Sequence, residues 1–180
     1  MTILRSTLDT TGADFGAAKH AMEAKLEQLT ADLEPALAGG GERKVARHRE
    51  RGKFTARERI DMILDRESPF LELCALAAWG SDFQTGASVV AGIGVVEGVE
   101  CLLIANDPTV KGGTSNPWTL RKILRLNDVA KKNRLPVISL VESGGADLPT
   151  QKEVFVPGGA LFRDLTRLSK AGIPTIAVVY

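Results

Sequence analysis

Leu135–Leu148 reads LPVISLVESGGADL, and the fold follows from how this stretch is understood. Pro136 cannot continue a helix, so any helix before it ends there. Val137–Val141 is then a short, almost wholly apolar run of strand length between breakers, the pattern of a strand buried on both faces. It gives way to Glu142-Ser143-Gly144-Gly145-Ala146-Asp147. A glycine pair directly after a buried strand opens backbone conformations closed to other residues and lets a ligand come close. In open α/β sheets, ligands gather outside the carboxyl ends of the strands. Peptide N–H groups held there could bind a developing oxyanion with no titratable side chain. A tight turn that simply needs glycine is an equally good reading of the residue types alone.

Outward from that strand, the apolar pattern alternates between strand and helix. Ser88–Val96 and Val99–Ala105 are β-rich runs joined at Glu97-Gly98, a hairpin signal. The glycines of Gly92-Ile93-Gly94 lie inside this pattern and do not open a helix, so they are no dinucleotide fingerprint. No GxxxxGK[ST] stretch exists either. A second polar, glycine-bearing loop, Asn106–Asn116, follows the second run and contains Lys111-Gly112-Gly113. Asn116 caps and Pro117 opens a helix to about Asn133, with Leu120, Ile123, Leu124 and Val129 as its apolar face. After SGGAD an irregular stretch is expected to Gly159. A helix over Ala160–Ala171 follows, with Leu161, Leu165 and Leu168 inward, and then a third buried-type strand, Thr175–Tyr180. Strand-helix-strand-helix-strand from Cys101 onward implies a parallel sheet. An α/β unit of this kind is expected to continue beyond such a strand into a loop and a covering helix.

The first part of the chain is of a different character. From Asp14 to Leu37, apolar residues at Phe15, Met22, Leu26, Leu29, Leu33 and Leu37 mark an amphipathic helix that needs a partner surface. Ala38-Gly39-Gly40-Gly41 reads as its end and a flexible link. Residues 43–59 then carry Arg43, Lys44, Arg47, Arg49, Arg51, Lys53, Arg57 and Arg59 together with His48. The ordinary reading is a solvated helix face; the functional one is that some of these cations meet an anionic ligand such as phosphates. Thr55 and Glu58 form a capping box that starts a helix over Ala56–Leu64.

Composition bounds the function classes. The 180 residues suffice for one domain with a real core, and 44% hydrophobic with 25% charged residues is a globular balance. The 23 basic and 22 acidic residues leave a net charge of +1, which argues for neither nucleic acid nor an anionic membrane as partner. No apolar run approaches membrane-spanning length and the N-terminus lacks a signal-peptide core, so a cytoplasmic location is the expectation. Cys74 and Cys101 both sit among apolar neighbours and read as buried, reduced thiols. His20 and His48 stand far apart, which supports neither a metal site nor a Ser-His-Asp triad with Ser143.

Four stretches together are family-specific: RGKFTARERIDMILDRESPFLEL (51–73), GIGVVEGVECLLIANDPTVKGGTSNPWTLRKILR (92–125), NRLPVISLVESGGADLPTQKEVF (133–155) and FRDLTRLSKAGIPTIAVV (162–179). In this order they resemble the carboxyltransferase (β) subunits of biotin-dependent acyl-CoA carboxylases of the methylcrotonyl-CoA and propionyl-CoA carboxylase type. The resemblance implies a crotonase-like α/β fold. It divides the chain into an N-terminal helix and glycine link over 1–41 and the first part of the acyl-CoA-binding domain over 42–180. It also implies oligomers of β subunits with active sites between subunits, and a biotin carboxylase and biotin-carrier α subunit as partner. Carboxybiotin on a separate carrier is the implied cofactor, an acyl-CoA the substrate, and no metal is called for. In the implied mechanism released biotin takes the substrate proton, so the protein contributes positioning and oxyanion holes. By analogy with the fold, the backbone N–H of Gly145 or Ala146 is the oxyanion donor. Lys111, Gly112, Gly113, Ser143 and Gly144 are the residues expected to meet the acyl-CoA, with Lys111 near a phosphate. The family's second glycine-rich loop would follow the strand that resembles TIAVVY, after Tyr180.

Two other readings stay open at this level. One is a free-standing crotonase-type hydratase or isomerase, for which Glu142 is the nearby candidate acid/base, although Glu142 and Asp147 read more naturally as structural or solvated carboxylates. The other is a non-catalytic relative that assembles with an intact carboxylase subunit through the 14–37 helix.

Overall fold

The computed structural model describes residues 6–180. The chain builds helices α1 (Ala13–Leu37), α2 (Glu42–Glu50) and α3 (Ala56–Ile63), then strands β1 (Leu71–Glu72), β2 (Val89–Val96) and β3 (Val99–Asn106). Helix α4 (Pro117–Asn133), strand β4 (Val137–Val141), helix α5 (Gln151–Lys170) and strand β5 (Thr175–Val179) complete it. The five strands form one sheet in the order β1-β2-β3-β4-β5. β1, β2 and β3 pair antiparallel, and β3, β4 and β5 pair parallel, as the alternation after Cys101 requires. The hairpin turns at Glu97-Gly98, both with positive φ, and Asp65 fixes it by accepting both of their N–H groups at 2.7 and 2.8 Å.

The sheet is covered on both faces, which is why its strands read as continuous apolar runs. Val89, Ala91, Leu102, Ile104 and Val137 pack with Leu126 and Ala130 of α4 and Leu168 of α5. The alternate residues Val90, Cys101, Leu103, Ala105, Ile138 and Leu140 pack on the other face with Ala56 and Ile60 of α3. Gly92 and Gly94 have a packing role: a Cβ at Gly92 would collide with the Leu71 carbonyl and the Phe70 ring, and one at Gly94 with Leu64. Helix α3 starts as the sequence demands, with Thr55 and Glu58 exchanging both bonds of a capping box. The Thr55 N–H holds the Glu58 carboxyl below its usual range against the opposing effect of desolvation, with Arg49 adding a smaller lowering. Thr55→Ala is expected to lower stability by about 1 kcal/mol, read by thermal or denaturant unfolding.

Several expectations are corrected. The stretch before Gly159 is helical: α5 begins at Gln151 and runs through Pro157, Gly158 and Gly159. A proline inside a helix removes one hydrogen bond, here to the Glu153 carbonyl. The surrounding Glu153, Phe155 and Val156 are exposed, so solvent can satisfy the freed carbonyl. On α5, Leu168 is buried, but Leu165 is 48% exposed. On α4 the buried face is Leu120, Leu126 and Ala130 with Lys122 and Asn127, while Ile123, Leu124 and Val129 are only half-buried. β5 forms as expected, but as an exposed edge strand, with Ile176 and Val179 in the open. Cys101 is buried and Cys74 is exposed; both thiols are free. The glycines after α1 are docked, since the Gly40 N–H donates to Thr109 Oγ1 at 2.9 Å. On the apolar stripe of α1, Met22, Leu26 and Leu29 are exposed, while Phe15 and Leu33 are half-buried. Among the described residues no helix is long and apolar enough to cross a membrane.

Candidate acyl-CoA site

Both glycine loops lie at the carboxyl ends of parallel strands, and they are tied to each other. Gly144 N–H donates to the Gly112 carbonyl and Ser115 N–H to the Gly145 carbonyl, at 2.9 and 2.8 Å. Asp147 N–H returns to the Ser115 carbonyl at 2.9 Å, which makes a small parallel bridge between Ser115 and Ala146. Ser143 Oγ donates to the Gly113 carbonyl at 2.7 Å and accepts from Gly145 N–H at 3.2 Å. Gly113 and Gly145 both have positive φ. The sequence-predicted residues Lys111, Gly112, Gly113, Ser143, Gly144, Gly145 and Ala146 therefore form one assembly.

Within that assembly the N–H groups differ. Gly144 gives its N–H to Gly112, and Gly145 gives its own to Ser143. The N–H of Ala146 meets no acceptor among the described residues, and Ala146 is exposed.

Beside the loops lies a cleft of about 300 Å³ lined by Lys44, Arg47, His48, Arg51, Pro108, Thr109, Lys111 and Gly112. Along α2 and its C-terminal cap, Lys44 stands three and four residues before Arg47 and His48, and these stand four and three before Arg51, so the four share one side. Lys111 faces them from the loop after β3, its Nζ 5.8 Å from the centre of the Phe83 ring. Four permanent cations thus converge on one concave surface of a chain with net charge +1. That lining suits phosphates. It does not suit the neutral bicyclic ureido group of biotin, and no step through biotin is derived from it. Among the described residues no group of three or more His, Cys, Asp or Glu side chains is arranged to hold a metal ion.

Behind the cleft the sequence reading missed a charged cluster centred on Glu142. Its carboxylate lies 2.6 Å from Lys53 Nζ, 3.7 Å from Arg59 Nη1 and 4.0 Å from His48 Nε2. His48 is buried, its Nε2 also 3.1 Å from the Phe54 carbonyl. Glu142 is therefore no lone carboxylate. His48 has the connection to the Ser143 region that sequence separation hid: it sits against Glu142, the residue before Ser143. Asp147 is occupied locally, accepting from Thr150 Oγ1 at 2.7 Å.

Residues 47–180 match the carboxyl transferase domain. The probable biotin-dependent acyl-coenzyme A carboxylase beta2 subunit of Mycobacterium tuberculosis is 66% identical over 178 residues, 99% of this chain and 34% of that protein. The probable mitochondrial methylcrotonoyl-CoA carboxylase beta chain of Drosophila melanogaster is 44% identical, over 98% of this chain and 32% of that protein. Among solved structures, the geranyl-CoA carboxylase beta subunit of P. aeruginosa superposes with a TM-score of 0.86 at 39% identity, covering 97% of this chain and 33% of that one. The transcarboxylase 12S hexamer, solved with methylmalonyl-coenzyme A bound, gives 0.79 at 30% identity, covering 88% of this chain and 32% of that one. The chain spans about a third of the length of these relatives. The crotonase-like α/β expectation holds, and the chain belongs to the carboxyl transferase domain family.

Proposed function

We propose that this chain is the acyl-CoA-binding part of the carboxyltransferase component of a biotin-dependent acyl-CoA carboxylase. The observation that carries the proposal is the basic cleft of Lys44, Arg47, Arg51 and Lys111 opening beside the paired glycine loops. Cations at the cleft neutralise the phosphates of coenzyme A, and the pantetheine arm runs toward the loops. At Ala146 the unused N–H faces the position of a thioester oxygen. Removing a proton from the carbon next to a thioester builds negative charge on that oxygen, and a preorganised donor stabilises it. The ion pairs of Glu142 hold the loop; no side chain of this chain is assigned as the base. Phe155, Val156 and Phe162 on α5, each at least 74% exposed, support assembly with further copies of the β subunit and with a biotin-carrying subunit. The hydratase or isomerase reading loses its candidate acid/base in the pairing of Glu142.

Titration with coenzyme A tests the cleft. The double variant Arg47→Glu, Arg51→Glu is expected to weaken binding at least about tenfold, and added salt to weaken the unsubstituted protein toward it. Dephospho-coenzyme A, which lacks the 3′-phosphate, tells which phosphate the cleft holds. Equal affinity of the double variant and the unsubstituted protein would remove the cleft from the acyl-CoA site.

A further inference from the structure

Arg59, on α3, touches the ends of three parallel strands at once. It is buried to 2% exposure. Its Nη2 donates at 2.6 Å to the carbonyl of Asn106, the last residue of β3. Its Nη1 lies 3.7 Å from the carboxylate of Glu142, the first residue after β4. Its Cζ stands 4.9 Å from the ring centre of Tyr180, the first residue after β5. Both glycine loops begin at those strand ends, at Asp107 and Glu142.

The arginine is poorly explained by stability. Nε and Nη1 are buried and make no hydrogen bond. Burying a cation with orphaned donors is costly, and well-packed apolar residues often do as well or better in such places. What an apolar residue cannot supply is a rigid planar fork that meets a carbonyl, a carboxylate and a ring face in fixed relative positions.

We propose that Arg59 is a positioning residue for carboxyl transfer: it fixes the separation of the 107–116 and 142–147 loops, and thereby the direction of the Ala146 N–H relative to the bound thioester. The inference rests on the acyl-CoA reading above. It separates binding from chemistry, because three of the four phosphate-binding cations, Lys44, Arg47 and Arg51, stand on α2 and its C-terminal cap, whereas Arg59 acts where the loops leave the sheet. Glu142 mediates the effect on the second loop: Arg59 and His48 approach its Oε2 and Lys53 its Oε1.

Steady-state carboxylation kinetics and coenzyme A titration on the full protein carrying this chain test it, with Arg59→Lys, Arg59→Met, Tyr180→Leu and, as a control, Ile60→Val. Ile60 is the next residue on the same helix and packs in the core, so its truncation loosens α3 while leaving Arg59 and its partners in place. Arg59→Lys keeps the charge and loses the fork. It is expected to lower kcat about tenfold or more while KM for the acyl-CoA and the affinity for coenzyme A stay within about threefold. Arg59→Met loses more, Tyr180→Leu less and in the same direction, and Ile60→Val lowers the melting temperature with kcat unchanged. Should Arg59→Met fail to fold, Arg59→Lys and Tyr180→Leu carry the test. Unchanged kcat in folded Arg59→Lys overturns the proposal, as does an equal loss of kcat in Ile60→Val at a matched drop in melting temperature. Those results leave an unsubstituted protein that binds coenzyme A and carboxylates, so they reject positioning alone. An unsubstituted protein that does neither rejects the acyl-CoA reading and this inference with it.

Discussion

Gly113→Ala is expected to lower carboxyl transfer about a hundredfold while leaving coenzyme A affinity within a few-fold. Gly113 has φ +67°, a conformation that strains any residue with a Cβ. The space is closed as well: an added Cβ would overlap the Glu142 carbonyl oxygen and press on Asn106 Cβ. The first of these neighbours is backbone at the end of β4, so no side-chain rotamer relieves the overlap. The loop after β3 must move away from the loop after β4. The bonds that join them run through the same few residues: Ser143 Oγ to the Gly113 carbonyl, Gly144 N–H to the Gly112 carbonyl, and Ser115 N–H to the Gly145 carbonyl. Losing that register shifts the Ala146 N–H by a fraction of an ångström or more, and displacements near 1 Å cost on the order of a hundredfold in well-oriented reactions. Three of the four phosphate-binding cations, Lys44, Arg47 and Arg51 on α2 and its C-terminal cap, lie outside the displaced loop, which keeps the loss of affinity small beside the loss of turnover. Gly112→Ala is the matched comparison. Its φ is +68°, but a Cβ there meets nothing within 4 Å, so it carries the backbone strain without the collision. If both alanine variants lose activity equally, strain and not loop separation is the cause.

The contrast between these two glycines shows what a sequence can and cannot carry. Lys111-Gly112-Gly113 announced a loop that must turn tightly, and SGGAD announced another at a strand end. Local residue types fix both, and so do the parallel strands, whose apolar runs follow from burial on two faces. The Asn116-Pro117 and Thr55-Glu58 helix starts are equally local. Which of the two loop glycines faces another backbone depends on the register between β3 and β4, which no local pattern encodes. The same holds for Glu142: Lys53 lies 89 residues away and Arg59 comes from the distant helix α3, so the carboxylate reads as unpartnered until the chain is folded. One signal was present but ambiguous. Lys44, Arg47, His48 and Arg51 share a helix face by spacing, yet a basic face is ordinarily solvated, and only the opposing Lys111 makes it a cleft. The error over 148–159 came from giving Pro157-Gly158-Gly159 their usual weight as breakers, where exposure on α5 tolerates them.

Lys122 carries the other large expected effect, and it appears as a pH dependence. On α4 it is buried at 3% exposure, and its Nζ donates to the Val89 carbonyl at 2.6 Å and the Gly86 carbonyl at 3.1 Å. It ties the start of β2 to the helix on the same face of the sheet. Burial pushes its pKa from 10.5 down to about 8; Glu72 and Cys74 oppose the shift and Arg57 adds to it. Between those two values the unfolded chain holds the proton more tightly than the folded one. Stability therefore rises with pH from about 8 to 10.5, and below about 8 the burial penalty is fully present. The difference 10.5 − 8 sets the ceiling at roughly 3 kcal/mol. Lys122→Met removes the titrating group and leaves two carbonyls without their donor, a loss on the order of 1–3 kcal/mol each that the vanished penalty partly offsets at neutral pH. The variant is expected to be modestly less stable at pH 7, with the gap widening by roughly 2–3 kcal/mol by pH 10. Cys101 acts in the opposite sense, because burial raises its thiol pKa and the unfolded thiol ionises first as pH rises. That contribution is common to both proteins and cancels in their difference. Denaturant unfolding of the pair at the two pH values measures it directly. A gap that stays constant would mean that Lys122 keeps its proton throughout, held by its two carbonyls strongly enough to offset its burial.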